Sequence, residues 1–366
     1  FSPTVEADID RNFNDFLQRY AAHNVRIFAC NITHLQHLPF GTHASGLQFI
    51  DDSLFFPEGS GLTQLGKNIV RKLHDNNILV DVKHMAYSTR IALYAERDIR
   101  GYTQPIICTH AGIAGCSWNE RFKYLRTAPQ LVIAPSARNP QQLVRAWQVE
   151  HLKKKGHVKP PNSSNAMSAF NLSSINLYDE DIMQIFRSEG LIGISLDQRI
   201  VGYPGESIGH TIDIFPSDVE YIADADAQIF FGTQNPQNLP VFNGNQDEVL
   251  KGSEAEDHNM LTVDSHARYF LNQVVHILAV AKKNGHLQKA LTQICIGSDF
   301  DGLINPIDCC ETAESFTAFR QQLSDIMKET NFWDGTGIKK TEIDVDQLLG
   351  NLFFENAHQF LLRNFQ

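Results

Sequence analysis

The sequence lacks the features that define several common classes of protein. Six cysteines are scattered over 366 residues without a C-x-x-C pair, which argues against a disulfide framework or a thiolate zinc site and leaves the compartment open. A net charge of −11 excludes nucleic acid as a partner, because phosphate binding needs a basic surface. No apolar run approaches the roughly 20 residues of a membrane span, and the first residues show no signal-peptide pattern.

Sequence motifs of three common enzyme classes are missing or out of place. The chain has no G-x-x-x-x-G-K-[ST] phosphate loop and no G-x-G-x-x-G after a strand, and its one G-x-S-x-G match, at residues 205–209, follows no predicted strand. Serine hydrolases of the elbow type, P-loop enzymes and dinucleotide-binding proteins are therefore disfavoured.

What the chain does contain is a series of helix and strand patterns in alternation. Helical spacing of apolar residues predicts helices over residues 9–21, 61–77, 87–101, 179–190, 263–284 and 345–365, with Gly190 and Gly285 as helix stops. Short apolar runs predict strands in "VRIFACN", "NILVDVKH", "QPIICTH", "LIGISL" and "TQICIGSD". We predict a parallel sheet in a (β/α)8 TIM-type barrel whose first strands are missing from this chain.

Two long segments interrupt this alternation. They cover about 111–175 and about 203–260, and we interpret them as insertions in a single domain over 1–366. The acidic "IADADAQ" within the second segment predicts a solvated surface.

Three of the predicted strands end on a residue that can bind or serve a metal ion. These residues are His84, His110 and Asp299. The carboxyl ends of parallel strands meet at one mouth, and imidazole and carboxylate are ligands of catalytic zinc. The pattern therefore predicts a metallohydrolase, with Asp299 as a proton-transfer group or ligand. His34, which also ends a strand pattern, is a weaker candidate because His37 and His43 lie nearby.

Calcium is a poor alternative for the aspartates in "GSDFDG". Asp299 and Asp301 resemble the start of a calcium loop, but the further ligands and the closing glutamate are absent.

The ordered set "VEAD", "ITH", "GLTQLGKNIV", "ILVDVKHMA", "PIICTHAG", "LIGISL" and "IGSDFDG" resembles the membrane (renal) dipeptidase family of zinc peptidases. The resemblance runs from about Glu6 to Gly302, and its most specific parts are "DVKHMA", "CTHAG" and "GSDFDG". It implies a (β/α)8 barrel with two zinc ions that hydrolyses dipeptides, including those with a D-residue at the carboxyl side.

The resemblance also implies roles for five residues. Glu6 matches the glutamate that bridges the two zinc ions, and His84 and His110 match the histidines of the second zinc. His34 matches the histidine that binds the substrate carbonyl, and Asp299 matches the aspartate that binds the substrate amine and assists proton transfer.

The chain departs from the family at two sets of ligands. The first zinc needs a His-x-Asp pair upstream of the glutamate, and none of the 15 histidines has Asp two residues later. We therefore expect roughly a hundred preceding residues to supply early strands and this pair. The family arginine that binds the substrate carboxylate is also missing, and the sequence does not choose among Arg121, Arg126 and Arg138; we take Arg121 as the working candidate.

These features together predict a zinc-dependent hydrolase of dipeptides or similar small amides. Water bound to one or two zinc ions is expected to attack the scissile carbonyl as hydroxide, while His34 stabilises the oxyanion and Asp299 passes a proton to the leaving nitrogen. Another barrel amidohydrolase, such as a deaminase or lactonase, stays open. So does a non-catalytic binding protein that has lost part of the metal centre, and a homo-oligomer is compatible with the sequence.

Overall fold

A computed structural model describes residues 3–45, 56–136, 139, 141–159, 168–202, 219–232, 245–249, 263–300 and 304–365, and the side chains of 3–6, 246 and 263–265 lie outside this description. The strands are β1 Ala29–Asn31, β2 Leu79–Asp81, β3 Ile106–Ala111, β4 Gln130–Pro135, β5 Leu143–Glu150, β6 Lys154–Lys155, β7 Ala169–Phe170, β8 Leu191–Ile194, β9 Val219–Ala223 and β10 Ile294–Ile296.

The α-helices are α1 Pro3–Ala22, α2 Gln64–Asp75, α3 Tyr87–Arg100, α4 Asp179–Arg187, α5 Gln198–Val201, α6 Asp224–Phe231, α7 Val263–Lys283, α8 Leu287–Ala290, α9 Phe316–Lys328, α10 Val345–Gly350 and α11 Asn356–Asn364. A π-helical turn, Asn351–Glu355, joins α10 to α11, and short 3-10 helices cover Trp118–Tyr124, Gln246–Glu248, Ala313–Ser315 and Lys340–Glu342.

The five strands predicted from apolar runs form one parallel sheet in the order β1-β2-β3-β8-β10. Each predicted run is longer than the strand that forms, because only part of it pairs with neighbouring strands. Within the described residues β1 and β10 are the two edges of this sheet, so the predicted α/β class is observed while closure into a barrel stays a prediction.

Alternate residues of the parallel strands pack on opposite faces of the sheet. Val80, Ile106 and Ile192 belong to the largest apolar cluster, together with residues of α2, α3, α4, α7 and α9. Their neighbours Leu79 and Ile107 belong to a separate cluster with Phe360 of α11. Burial on both faces explains why these strands appear in the sequence as continuous apolar runs.

Gly190 does not end α4, which corrects the predicted helix stop. The chain leaves α4 through Glu189, whose φ of 57° is the left-handed value. Gly190 is required for space instead, because a Cβ atom there would collide with the carbonyl oxygen of Ile106 on β3. Gly285 has a φ of 76° after α7, so that predicted stop is confirmed.

The two predicted insertions share an antiparallel sheet that the sequence patterns did not indicate. Its order is β4-β5-β9, with β4 and β5 from the first segment and β9 from the second. The acidic "IADADAQ", predicted to be a solvated surface, is solvated only in part. It contains the end of β9 and the start of α6, and the side chain of Asp224 is 44% exposed. The carboxylate of Asp226, in contrast, is buried and accepts hydrogen bonds from the backbone nitrogen and the hydroxyl of Ser88.

No helix among the described residues combines the length and the hydropathy that crossing a bilayer requires.

Candidate functional site

Four polar side chains lie together where the parallel strands end, at the carboxyl ends of β1, β2, β3 and β10. His34 follows β1, His84 follows β2, His110 lies within β3, and Asp299 follows β10. The side chains of His84, His110 and Asp299, predicted from three separate strand ends, do come together, as does that of His34.

His110 is at the centre of this cluster. Its Nε2 atom lies 3.0 Å from Oδ2 of Asp299 and 3.3 Å from Nε2 of His84. The ring of His34 lies against that of His84, with 4.4 Å between the centroids. The side chain of Asp299 keeps 41% of its surface exposed, so a bound molecule can reach it.

A bulge in β3 aims His110 at its neighbours. Cys108 pairs with Ile192 and Ala111 pairs with Ile194, so β3 contains one residue more than β8 between these two pairs. Such a bulge turns the backbone and changes the direction of a side chain. Thr109 and His110 are the residues within it.

The backbone of His84 is held in a rare conformation. Its φ is +66°, a left-handed value that costs a non-glycine residue on the order of 1–3 kcal/mol. The carbonyl of His84 accepts from the backbone nitrogen of Ala44 at 2.8 Å, and Met85 forms a β-bridge with His43. The segment around 42–44 therefore fixes the turn that presents His84.

Burial controls the charge of the residues in this turn. Burial first, then the charges of Lys83 and His110, holds the pKa of His84 far below its usual value. This keeps the ring neutral, which is the form that binds metals. Burial also lowers the pKa of Lys83, whose ammonium nitrogen has no hydrogen-bond partner among the described residues. Hydrogen bonding with His110 lowers the pKa of Asp299.

The pair of imidazole nitrogens fits two positions of a zinc site. Two nitrogens bound to one zinc at about 2.0–2.1 Å in a tetrahedron lie about 3.3 Å apart, which matches the Nε2–Nε2 distance of 3.3 Å. The fit ends with this pair: within the described part of the chain, no three His, Cys, Asp or Glu side chains together could hold a metal ion. A zinc ion at this position would need further ligands from outside that set.

Glu6, the predicted bridging ligand, lies in α1 and not at a strand end, and its side chain is outside the description. Its role as a ligand stays a prediction.

Arg121, the working candidate for binding a carboxylate, is committed to other partners. It lies in the 3-10 helix Trp118–Tyr124 with 0% of its side chain exposed. Its guanidinium forms an ion pair with Glu220 and contacts His151 Nε2 at 2.7 and 2.9 Å. Arg126 is paired with Glu150 at 3.1 Å, and Arg138 lies outside the described residues.

Two residues of the site were not singled out from the sequence. Asp81 and Thr109 lie directly behind His110: Thr109 Oγ1 is 2.6 Å from Asp81 Oδ2 and 2.9 Å from Nδ1 of His110. The available signal was a charged residue inside an otherwise apolar buried strand, "ILVDV", since such a residue needs a nearby partner.

Comparison with known proteins gives distant structural likenesses only. No family model matches the sequence, and no curated protein matches it. A metallopeptidase from Rhodobacter sphaeroides, liganded with a phosphinate mimic of L-Ala-D-Ala, is 13% identical over 96% of this chain and 59% of that one, with a TM-score of 0.47.

Two further structures are comparable. One is a dipeptidase, a metallopeptidase, with 13% identity, 84% of this chain and 50% of that one covered, and a TM-score of 0.38. The other is a probable dipeptidase from Pseudomonas aeruginosa, with 14% identity, 96% and 64% covered, and a TM-score of 0.43. This chain thus spans between 50% and 64% of their length. Values this low establish neither the fold nor the activity of this chain.

Proposed function

We propose that the chain carries part of the active site of a zinc-dependent hydrolase that acts on dipeptides or similar small amides. The observation that carries the proposal is that His84, His110 and Asp299 lie together at the carboxyl ends of parallel strands. The Nε2 atoms of the two histidines are 3.3 Å apart. The family resemblance of the sequence assigns the same three residues to the site.

In this proposal the two histidines would hold the metal, and Glu6 is the proposed third ligand. A bound zinc ion lowers the pKa of water and polarises a carbonyl. His34, whose ring lies against His84, is the proposed donor to the carbonyl oxygen as negative charge develops on it.

Asp299 is the proposed proton-transfer residue. Its carboxylate is partly exposed and lies 3.0 Å from His110, so it can bind a substrate amine and pass a proton to the leaving nitrogen. No arginine is assigned to the substrate carboxylate, because Arg121 is fully buried and paired with Glu220.

The proposal is tested by zinc content and dipeptide hydrolysis on the same samples. We expect His84→Ala and His110→Ala to lose zinc and activity together. Asp299→Asn should keep its zinc and turn over about 10²-fold more slowly, the usual contribution of acid–base assistance. His23→Ala, at an exposed position after α1, is the matched control. Zinc retention by both histidine variants would contradict the proposal.

The absence of a complete ligand set among the described residues favours one alternative, a non-catalytic binding protein. Protein that takes up no zinc and hydrolyses no dipeptide would support that alternative.

A further inference from the structure

His84 occupies a position in a tight turn that glycine usually fills. The backbone nitrogen of Met85 donates to the carbonyl of Val82 at 3.2 Å and so closes a four-residue turn. His84 is the third residue of this turn, and it is the one with a positive φ, +66°. That is the φ pattern of a type II turn, in which residues other than glycine are strained at the third position. The conformation of His84 therefore depends on how the two ends of the turn are held.

The end of the turn is held by the side chain of Arg90. Its Nη1 atom donates to the carbonyl of Met85 at 2.9 Å. Met85 and Arg90 are both 0% exposed, so water does not reach this carbonyl, and a buried carbonyl needs a donor. Arg90 lies in the first turn of α3, where the helix dipole disfavours a cation. Its Nε atom lies 3.1 Å from Oδ1 of Asp181, and this buried ion pair offsets that cost.

The same guanidinium holds a second segment, the loop before α4. Nη1 also donates to the carbonyl of Ser174 at 3.0 Å, and Nη2 donates to the carbonyl of Asn176 at 3.1 Å. Three carbonyls from two segments thus share one planar group whose donors have a fixed geometry. Arg90 therefore fixes where the turn of His84 lies relative to this loop.

The loop is bonded in turn to the chain that follows His110. The backbone nitrogen of Leu177 donates to the carbonyl of Gly112 at 3.0 Å, and the carbonyl of Leu177 accepts from the backbone nitrogen of Ala114 at 2.8 Å. Arg90 is therefore a link between the two segments that follow the histidines of the site.

We propose that Arg90 is a positioning residue that fixes His84 relative to His110 and so maintains the 3.3 Å between their Nε2 atoms. The inference rests on the proposed function for its purpose, because this separation suits two nitrogens that bind one zinc ion. It goes beyond that function in naming a residue that touches neither metal nor substrate and acts through backbone carbonyls.

Two variants separate the position of the donors from the charge. Arg90→Lys keeps a cation that can pair with Asp181, but its three donors lie on one nitrogen and cannot reproduce the fork that reaches both segments. Asp181→Asn is the matched control, because it removes the ion pair and leaves the three carbonyl contacts of Arg90 in place. We expect both variants to be less stable than the unmodified protein, so stability alone does not distinguish the two roles.

The test is amide hydrogen exchange in metal-free protein. The amide of Ala44 donates to the carbonyl of His84 at 2.8 Å and reports on the turn, whereas the amide of Ile192 on β8 reports on the sheet. In Arg90→Lys, exchange at Ala44 should rise about 10-fold relative to exchange at Ile192, because a buried carbonyl has lost its donor. In Asp181→Asn the ratio of the two rates should stay as it is in the unmodified protein.

Zinc affinity, from competition with a chelator, gives a second readout. It should fall about 10–100-fold in Arg90→Lys and stay unchanged in Asp181→Asn. An unchanged exchange ratio in Arg90→Lys, or an equal rise in Asp181→Asn, would overturn the inference.

The exchange ratio is read without metal or substrate, so it separates this inference from the proposed function. The expected ratios in a protein that neither binds zinc nor hydrolyses dipeptides would refute the proposed function alone. Should Arg90→Lys fail to fold, Arg90→Gln in the Asp181→Asn background decides the question, since that combination leaves no buried charge unpaired. Compared with Asp181→Asn alone, it should show the same rise of about 10-fold at Ala44.

Discussion

The surroundings of Arg121 indicate that its charge stabilises the fold. The guanidinium has 0% exposure, pairs with Glu220, and lies over the ring of Phe230 with its Cζ atom 4.1 Å from the centroid. Glu220 also accepts from the hydroxyls of Ser173 and Ser174 at 3.1 and 2.7 Å. This network links β9 to the loop before α4.

We predict that Arg121→Met lowers the free energy of unfolding by about 3–5 kcal/mol, because the carboxylate of Glu220 then stays buried without its cation. The double variant Arg121→Met with Glu220→Gln should be less destabilised than the single one. Urea unfolding of both variants measures this. If Arg121 instead binds a substrate carboxylate, the single variant would keep its stability and raise KM.

The histidines of the site could be predicted from sequence, and the residues behind them could not. The sequence predicts that His84 and His110 lie at strand ends, and the carboxyl ends of parallel strands lie on the same side of the fold. The contacts of Asp81 with Thr109 behind His110 depend on the register of β2 against β3, in which Asp81 pairs with Ile107. That register cannot be predicted from the sequence of either strand alone.

At the scale of elements, two glycines make room for the bulge in β3. Gly193 of β8 and Gly297 after β10 both approach the carbonyl oxygen of Thr109 so closely that a Cβ atom at either position would collide with it. The backbone beside His110 therefore depends on neighbouring strands having no side chain there.

We predict that Gly193→Ala costs about 1–3 kcal/mol of stability by overpacking and also weakens zinc binding, since the bulge must shift. Gly350→Ala is the matched control, because the nearest atom to its Cβ is Arg320 Nη2 at 3.8 Å and the residue is helical. It should gain up to about 1 kcal/mol. Thermal unfolding with and without zinc compares the two variants. If both variants bind zinc equally well, the bulge does not influence the metal site.

The antiparallel sheet was missed because its sequence pattern is not a simple alternation. β5 buries Ala146 against Phe56 on one face and Trp147 in a second cluster on the other. Its partner β9 starts about seventy residues after β5 ends and runs directly into an acidic helix. A strand buried on both faces and paired across so long a separation has no local signal that distinguishes it from irregular structure.

At the scale of the whole molecule, the way buried histidines are held predicts how stability responds to acid. His157, after β6, contacts Nδ1 of His276 on α7 at 3.0 Å through its Nε2 atom. His276 in turn contacts the carboxylate of Asp179 at 2.8 Å. The chain Asp179–His276–His157 thus ties the β6–β7 hairpin to α7 and to the start of α4.

The pKa of His157 is about 3, lowered by burial and then by His276 and Lys154, while Asp179 raises it. Its unfolded value is that of an ordinary histidine, about 6.5. Between these two values the unfolded chain binds the proton and the folded chain does not, so stability falls as pH falls. The contribution of the neutral ring is fully present above about pH 6.5.

We therefore predict that the free energy of unfolding decreases by about 1 kcal/mol per pH unit on acidification from about pH 6.5 to about pH 4.5 through His157 alone. His157→Gln retains a donor toward His276 and has no titratable ring, so the pH dependence of its stability should be flatter by that amount. Urea unfolding of both proteins across this range, with a chelator present so that metal release does not contribute, gives the difference directly. Parallel curves for the two proteins would mean that the ring of His157 titrates normally in the folded state. The acid sensitivity would then arise from other buried histidines with a lowered pKa, among them His74 and His266, whose pKa is about 4.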